Sequence, residues 1–225
     1  MDDPIDDLTF SKRLRKPKGE ITLFDKTAQF IVLSPPPTNS SFTVGKELLA
    51  IQGATYLRTD ALIKSIKKHD RDPAFAIKVY LDLFGLKYDP KYIQQVIEES
   101  TIIITQHKNL FNRPRPYQVA PYFGVDLSVL DSKTNKTPSY PSGHTTQARL
   151  IAEIYGEKYP SHKDNLIRAA EECGFGRVIA GFHFLSDHKM GIGLARRLFR
   201  RLKDRTKRQY TEYNKVFDLK QKNRR

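Results

Sequence analysis

Three short segments in the second half of the chain carry residue types that together suit phosphoryl transfer. The first, Lys108-Asn-Leu-Phe-Asn-Arg-Pro-Arg115-Pro116, places a lysine seven residues before an Arg-Pro pair. The second is Pro141-Ser142-Gly143-His144, and the third runs Arg177-Val-Ile-Ala-Gly-Phe-His183-Phe-Leu-Ser-Asp187. Lys108, Arg115 and Arg177 supply enough positive charge to balance a dianionic phosphate, and arginine adds forked donors. Ser142 and Gly143 fall where the amides of a new helix point outward, a natural anion cradle, and Gly143 lets the backbone come close. His183 and Asp187 are four apart, so on a helix they would share a face and the carboxylate could fix the imidazole tautomer. His144 is a second imidazole, with an ordinary pKa of about 6.5, suited to giving and taking a proton. Nucleophile, orienting carboxylate, general acid and charge clamp make a full inventory for phosphoryl transfer without a metal.

Each segment also has a plainer reading. Pro141–His144 would serve as a helix cap, with Ser142 as the capping residue. His183, Asp187 and His188 could be metal ligands, but only one carboxylate and no further clustered ligand accompanies them, so no metal site is expected. His188 itself reads as a surface residue, and His69, His107 and His162 as structural. Arg113 reads as a loop charge or a substrate contact.

The elements that must hold these groups are helices. Residues 1–42 form an irregular lead-in marked by Pro35-Pro36-Pro37. From Val44 onward the apolar spacing is helical, through Leu48, Leu49 and Ile51 and then Leu62, Ile63 and Ile66. Asp72-Pro73 and Asp89-Pro90 each read as an N-cap followed by proline at the first helical position. Residues 112–141 are a proline-rich loop of a length that usually carries function. Helices are predicted over about 142–158, 162–181 and 184–207. Alternating strand patterns and internal repeats are absent, so the expectation is an all-α, single-domain helical bundle over 43–205 with a basic tail at 206–225.

The 225 residues carry a formal net charge of +14. Between Leu194 and Arg225 thirteen Lys or Arg face three acidic residues. Such a basic end favours an anionic partner, a polyanion or an anionic membrane surface. Cys173 is the only cysteine, which excludes an intrachain disulfide and a thiolate metal cluster. The first twenty residues show no apolar core of a signal peptide, and no run approaches a membrane span. A soluble, cytoplasmic protein is the expectation.

The three segments resemble the signature of the type 2 phosphatidic acid phosphatase superfamily, which includes the vanadium haloperoxidases. Within it the chain is most similar to the class A non-specific acid phosphatases. Leu33-Ser-Pro-Pro-Pro37, Ser139-Tyr-Pro-Ser-Gly-His-Thr145 and Gly181-Phe-His-Phe-Leu-Ser-Asp187 extend the likeness over roughly residues 33–200. The resemblance implies that His183 attacks phosphorus, Asp187 orients it and His144 protonates the leaving oxygen. Lys108, Arg115, Ser142, Gly143 and Arg177 would bind the phosphate oxygens. It implies no cofactor, vanadate as an inhibitor, an acidic optimum and frequent oligomerisation. The expected activity is metal-independent hydrolysis of small phosphate monoesters through a phosphohistidine. Alternatives are a vanadium-dependent haloperoxidase, a peripheral lipid phosphatase and a polyanion-binding protein on the same fold, with Tyr210, Tyr213 and Phe217 among the tail's basic residues. Gly176 departs from the pattern, since the family usually has serine before the arginine that is Arg177 here. The lack of a signal peptide and the basic C-terminal extension depart from it too.

Overall fold

Helix starts leave backbone amides without partners, and three starts here are closed by the side chain in front of them. In the computed structural model, which describes residues 4–14 and 16–202, Ser41 Oγ accepts from Val44 N at 3.3 Å, opening α1 (Phe42–Thr55). Thr59 Oγ1 accepts from Leu62 N at 3.2 Å, opening α2 (Asp60–Arg71). Helix α3 (Phe75–Leu83) begins later than the Asp72-Pro73 pair predicts. Asp72 instead ends α2, and its carboxylate accepts from Ala74 N at 2.9 Å, so residues 72–74 are used up in the turn. Helix α4 (Pro90–Phe111) opens as expected, with Asp89 Oδ1 taking the Lys91 amide at 2.9 Å and Pro90 in the first position.

Four further helices follow: a single turn α5 (Pro116–Val119), then α6 (Gly143–Lys158), α7 (Lys163–Ile179) and α8 (Leu185–Phe199). Short 3-10 turns occupy Ala28–Phe30, Ala120–Phe123 and Pro160–His162. Among the described residues there is no strand beyond one isolated bridge between Phe24 and Leu202, so the fold is all-α. Helix α8 stops at Phe199, short of the expected 207, because the chain turns to let Asp25 N reach Arg201 O at 2.8 Å. The basic tail at 206–225 lies outside the described residues.

Helix α6 is the axis of the bundle. Every residue from Thr145 through Gly156 is buried, with α7 and α8 packed along it and α4 against it. A helix enclosed on all sides needs no polar face, which is why its sequence shows no single apolar stripe. Ile103, Ile151, Leu166, Leu194 and Leu198 fill the space between these helices. Truncating one such side chain to alanine typically costs about 2–5 kcal/mol.

Two irregular segments are tied to this frame. Glu99 Oε2 accepts from the amides of Thr22 at 2.8 Å and Leu23 at 2.7 Å, and Tyr140 donates its hydroxyl to Ser34 O at 2.5 Å. These bonds hold the lead-in against α4 and the start of α6. Arg58 donates to Ser128 O at 2.8 Å and Ile179 O at 2.9 Å, clamping the long loop to the end of α7. The turn from α7 to α8 passes through Gly181 at φ 80°, with Val129 Cγ2 3.2 Å from where a Cβ would stand. A side chain would be strained there on both counts. Among the described residues no helix is long and apolar enough to cross a membrane.

Candidate active site

Each of the eight residues singled out by spacing sits at an element end, and the ends converge. The last turn of α4 supplies Lys108, and Arg115 stands immediately before α5. Ser142 is the N-cap of α6, with Gly143 and His144 in its first turn. Arg177 lies in the last turn of α7, His183 in the following turn and Asp187 in the first turn of α8. The site is thus built where helix termini meet, and two N-termini contribute favourable potential for negative charge.

His183 and Asp187 do not share a helical face, because α8 starts only at Leu185. Asp187 reaches back instead. Its Oδ2 accepts from Phe184 N at 2.9 Å and from His183 Nδ1 at 3.2 Å. A carboxylate can only accept here, so the imidazole proton resides on Nδ1 and Nε2 keeps its lone pair. That nitrogen faces Arg115 Nη1 at 3.0 Å. Burial, followed by the charge of Arg115, holds the His183 imidazole well below its ordinary pKa, so the ring is neutral. Burial would raise Asp187, but the Arg113 charge and the His183 hydrogen bond outweigh it and keep the carboxyl below the usual carboxylate range.

The three cations are buried and met by backbone and side-chain oxygens. Lys108 donates to Pro138 O and to Ser139 O, the latter at 3.3 Å. Arg115 donates to Thr137 O and Phe182 O, both at 2.8 Å. Arg177 pairs with Asp70 and donates to Thr134 Oγ1 at 2.9 Å. Burial and then the neighbouring arginine pull the Lys108 ammonium well below its ordinary value. Burial and then Arg177 push the His144 imidazole down to about 3. His144 Nε2 meets the backbone carbonyl of Asp70 at 3.1 Å, so its proton is on Nε2. Burial is the first cause of each depression and a neighbouring arginine the next, so an anion placed among these groups would raise them.

Four residues matter here that spacing did not single out. Arg113, read as a loop charge or substrate contact, is no solvated loop charge: it is buried behind Asp187, with Nη1 at 2.5 Å from Oδ1 and at 2.8 Å from Ser186 Oγ. Its guanidinium lies 4.1 Å over the Phe184 ring. Glu47 of α1 takes Ser186 N at 2.6 Å and stands 3.7 Å from Arg113. Ser139 donates its hydroxyl to Asp187, completing the shell of that carboxylate. Asp70, at the end of α2, accepts from Thr134 Oγ1 at 2.6 Å and Ser132 Oγ at 2.9 Å besides pairing with Arg177. The sequence signals for them are the Arg-Pro-Arg-Pro run for Arg113 and the Ser139–Thr145 stretch for Ser139, and Glu47 and Asp70 have none. His188, expected at the surface, is 2% exposed. Its ring turns toward Thr145 instead of Asp187. Among the described residues no group of three or more His, Cys, Asp or Glu side chains stands close enough to hold a metal ion. Gly176 packs against Ile66, whose Cγ1 is 3.3 Å from where a Cβ would stand.

Residues 95–204, which contain the whole constellation from Lys108 to Asp187, match the PAP2 superfamily family model. The chain carries a PAP2 superfamily domain. An acid phosphatase of Zymomonas mobilis is 29% identical over 185 residues, covering 73% of this chain and 65% of that protein. A non-specific acid phosphatase of Providencia stuartii is 26% identical over 167 residues, covering 69% and 66%. The chain therefore spans about two thirds of the length of these relatives. The transmembrane PAP2 type phosphatidylglycerolphosphate phosphatase from Bacillus subtilis aligns at 22% identity with a TM-score of 0.49, over 71% of this chain and 84% of that one. Two residues that touch the PAP2 constellation, Glu47 and Asp70, lie ahead of the matched segment.

Proposed function

We propose that this chain is a phosphoric monoester hydrolase that works through a phosphohistidine on His183, without a metal. The observation that carries the reading is the His183 ring itself: Nδ1–H is committed to Asp187, and the Nε2 lone pair faces the Arg115 guanidinium, with the buried cations Lys108 and Arg177 close by. The named relatives, both acid phosphatases, support the same class of substrate.

In this reading the phosphate dianion takes the donors of Lys108, Arg115 and Arg177 from the oxygens that now hold them. The amides of Gly143 and His144 at the start of α6 face its oxygens. His183 Nε2 attacks phosphorus, the P–N bond forms and the ester P–O bond breaks. The bound dianion favours the charged form of His144, and the leaving oxygen takes a proton from that imidazolium, which returns to the neutral ring. Water then attacks the phosphohistidine with His144 accepting its proton, the P–N bond breaks and orthophosphate departs. Asp187 holds the positive charge that develops on His183 during each transfer, and positioning with electrostatics supplies most of the rate.

The test is hydrolysis of p-nitrophenyl phosphate and of an alkyl phosphate in EDTA. His183→Ala abolishes both. His144→Asn costs about 10²-fold more with the alkyl ester, whose poor leaving group needs the proton. Turnover that survives His183→Ala, or that requires an added metal, would overturn the reading. Halide oxidation with peroxide and vanadate in the same pocket would move it to the haloperoxidase class.

A further inference from the structure

The Ser142 hydroxyl is not used as a helix cap. Ser142 sits at the N-cap of α6, yet no amide of that helix donates to its side chain. Its own amide donates to Asp187 O at 3.1 Å, which fixes the residue between α6 and α8. What reaches the Ser142 oxygen is the hydroxyl of Thr145, one turn on, donating at 2.9 Å. Thr145 has a single hydroxyl hydrogen, and that bond consumes it. Thr145 Oγ1 also lies 3.1 Å from His188 Nδ1, so the proton in that second contact belongs to the imidazole. Three groups are thereby ordered in one direction, from His188 through Thr145 to Ser142. The one hydrogen left at the end of the row is that of Ser142.

The surrounding backbone is shaped around this row. A Cβ on Gly174 of α7 would stand 2.4 Å from His188 Cε1 and 3.0 Å from Thr145 Oγ1. A Cβ on Gly191 of α8 would stand 2.9 Å from Ser142 O and from Thr145 Cβ. Phe175 covers the outer side of the imidazole at 4.6 Å between ring centroids. All three side chains of the row are buried. Burial also draws His188 down to about 4, which keeps it neutral and able to hold one proton on Nδ1. A hydrogen-bond row in a dry setting polarises along its length.

We propose that Thr145 and His188 are positioning residues that fix the Ser142 hydroxyl as a donor to a phosphate oxygen. His188 Nδ1–H donates to Thr145 Oγ1, Thr145 O–H donates to Ser142 Oγ, and Ser142 O–H points into the pocket. A hydroxyl set in this way discriminates by charge, because it offers only a hydrogen and favours the oxygen that gains most negative charge in the transfer. The inference rests on the phosphatase reading, since it takes Ser142 to contact the phosphate.

The experiment measures orthophosphate binding by calorimetry together with kcat and KM on p-nitrophenyl phosphate, with thermal unfolding alongside. Thr145→Val and His188→Leu each weaken phosphate binding and kcat/KM about tenfold, less than the loss of a directly contacting donor. Thr145→Ser keeps the hydroxyl and His188→Asn keeps a donor where Nδ1 stands, and both stay within about threefold of the wild type. In a Ser142→Ala background Thr145→Val has no further effect, because the row then ends on nothing. An equal, additive loss in that background would show a packing role and overturn the proposal, as would full binding and activity in Thr145→Val. If the wild type binds orthophosphate without hydrolysing esters, the hydrolase reading fails while the binding series still decides the row. If it neither binds nor hydrolyses, both fail.

Discussion

Arg113 Nη1 lies 2.5 Å from Asp187 Oδ1, and neither side chain reaches solvent. Asp187 is thus shared between a permanent cation behind it and the His183 imidazole in front. Glu47 and Ser186 close the far side of the guanidinium, so the charge row runs from α1 through the proline-rich segment to α8.

Removing the cation leaves a buried carboxylate without its counter-charge. Arg113→Ala should destabilise by about 3–5 kcal/mol, as breaking a buried pair does. The sign of the pH effect follows from the depressed Asp187: without Arg113 its pKa rises, so the acid limb of kcat/KM moves to higher pH. Arg113→Lys keeps the charge without the fork and should fall between. Chemical unfolding with a pH–rate profile checks both effects, and a wild-type melting temperature and profile in Arg113→Ala would refute them.

In the proposed reaction Asp70 competes with the phosphate for Arg177. Its carboxylate already engages that guanidinium and brings negative charge to the place the phosphate would take. Asp70→Asn should therefore tighten orthophosphate inhibition about tenfold, roughly the 1.4 kcal/mol of one charge-assisted bond. Product inhibition constants provide the check. An unchanged or weaker constant would mean that Asp70 chiefly orients Arg177.

Acid should loosen the empty protein. His183 is held well below its ordinary value, His144 at about 3 and His188 at about 4, all first through burial. The unfolded chain protonates these rings near pH 6.5, whereas the fold resists doing so. Their contribution is complete above pH 6.5 and is lost as pH falls below it, by up to about 1.4 kcal/mol per ring per pH unit. Melting temperature should drop steadily from pH 6.5 to 5. Saturating orthophosphate should offset the drop, because a bound anion favours the charged rings and mass action adds to it. A flat curve for the empty protein between pH 7.5 and 5 would contradict the burial of these histidines.

What the sequence made legible was the part written as short-range spacing. Lys108 to Arg115, Ser142 to His144 and Arg177 to Asp187 are each confined to one element end, and the structure brings all three ends together. Helix starts with a side-chain cap, such as Asp89-Pro90, were readable for the same reason. The Arg113–Asp187 pair spans 74 positions and the Asp70–Arg177 pair 107, and no local pattern encodes such meetings. His188 misled because a histidine beside Asp187 and before Lys189 looks solvated. The vacancy that admits it is made by Gly174, fourteen residues earlier on another helix.

The bond from Tyr140 to Ser34 bears on how the molecule can be divided. The lead-in has almost no regular structure, so a boundary near residue 43 looks natural for a shortened protein. Yet Ser34 O receives the hydroxyl of the residue two places before Ser142, and Glu99 of α4 anchors Thr22 and Leu23. The segment braces α4 and the turn that leads into α6, and is no leash in front of them. Cutting at the apparent domain edge would strip that backing from the turn before α6 while leaving every signature residue in place.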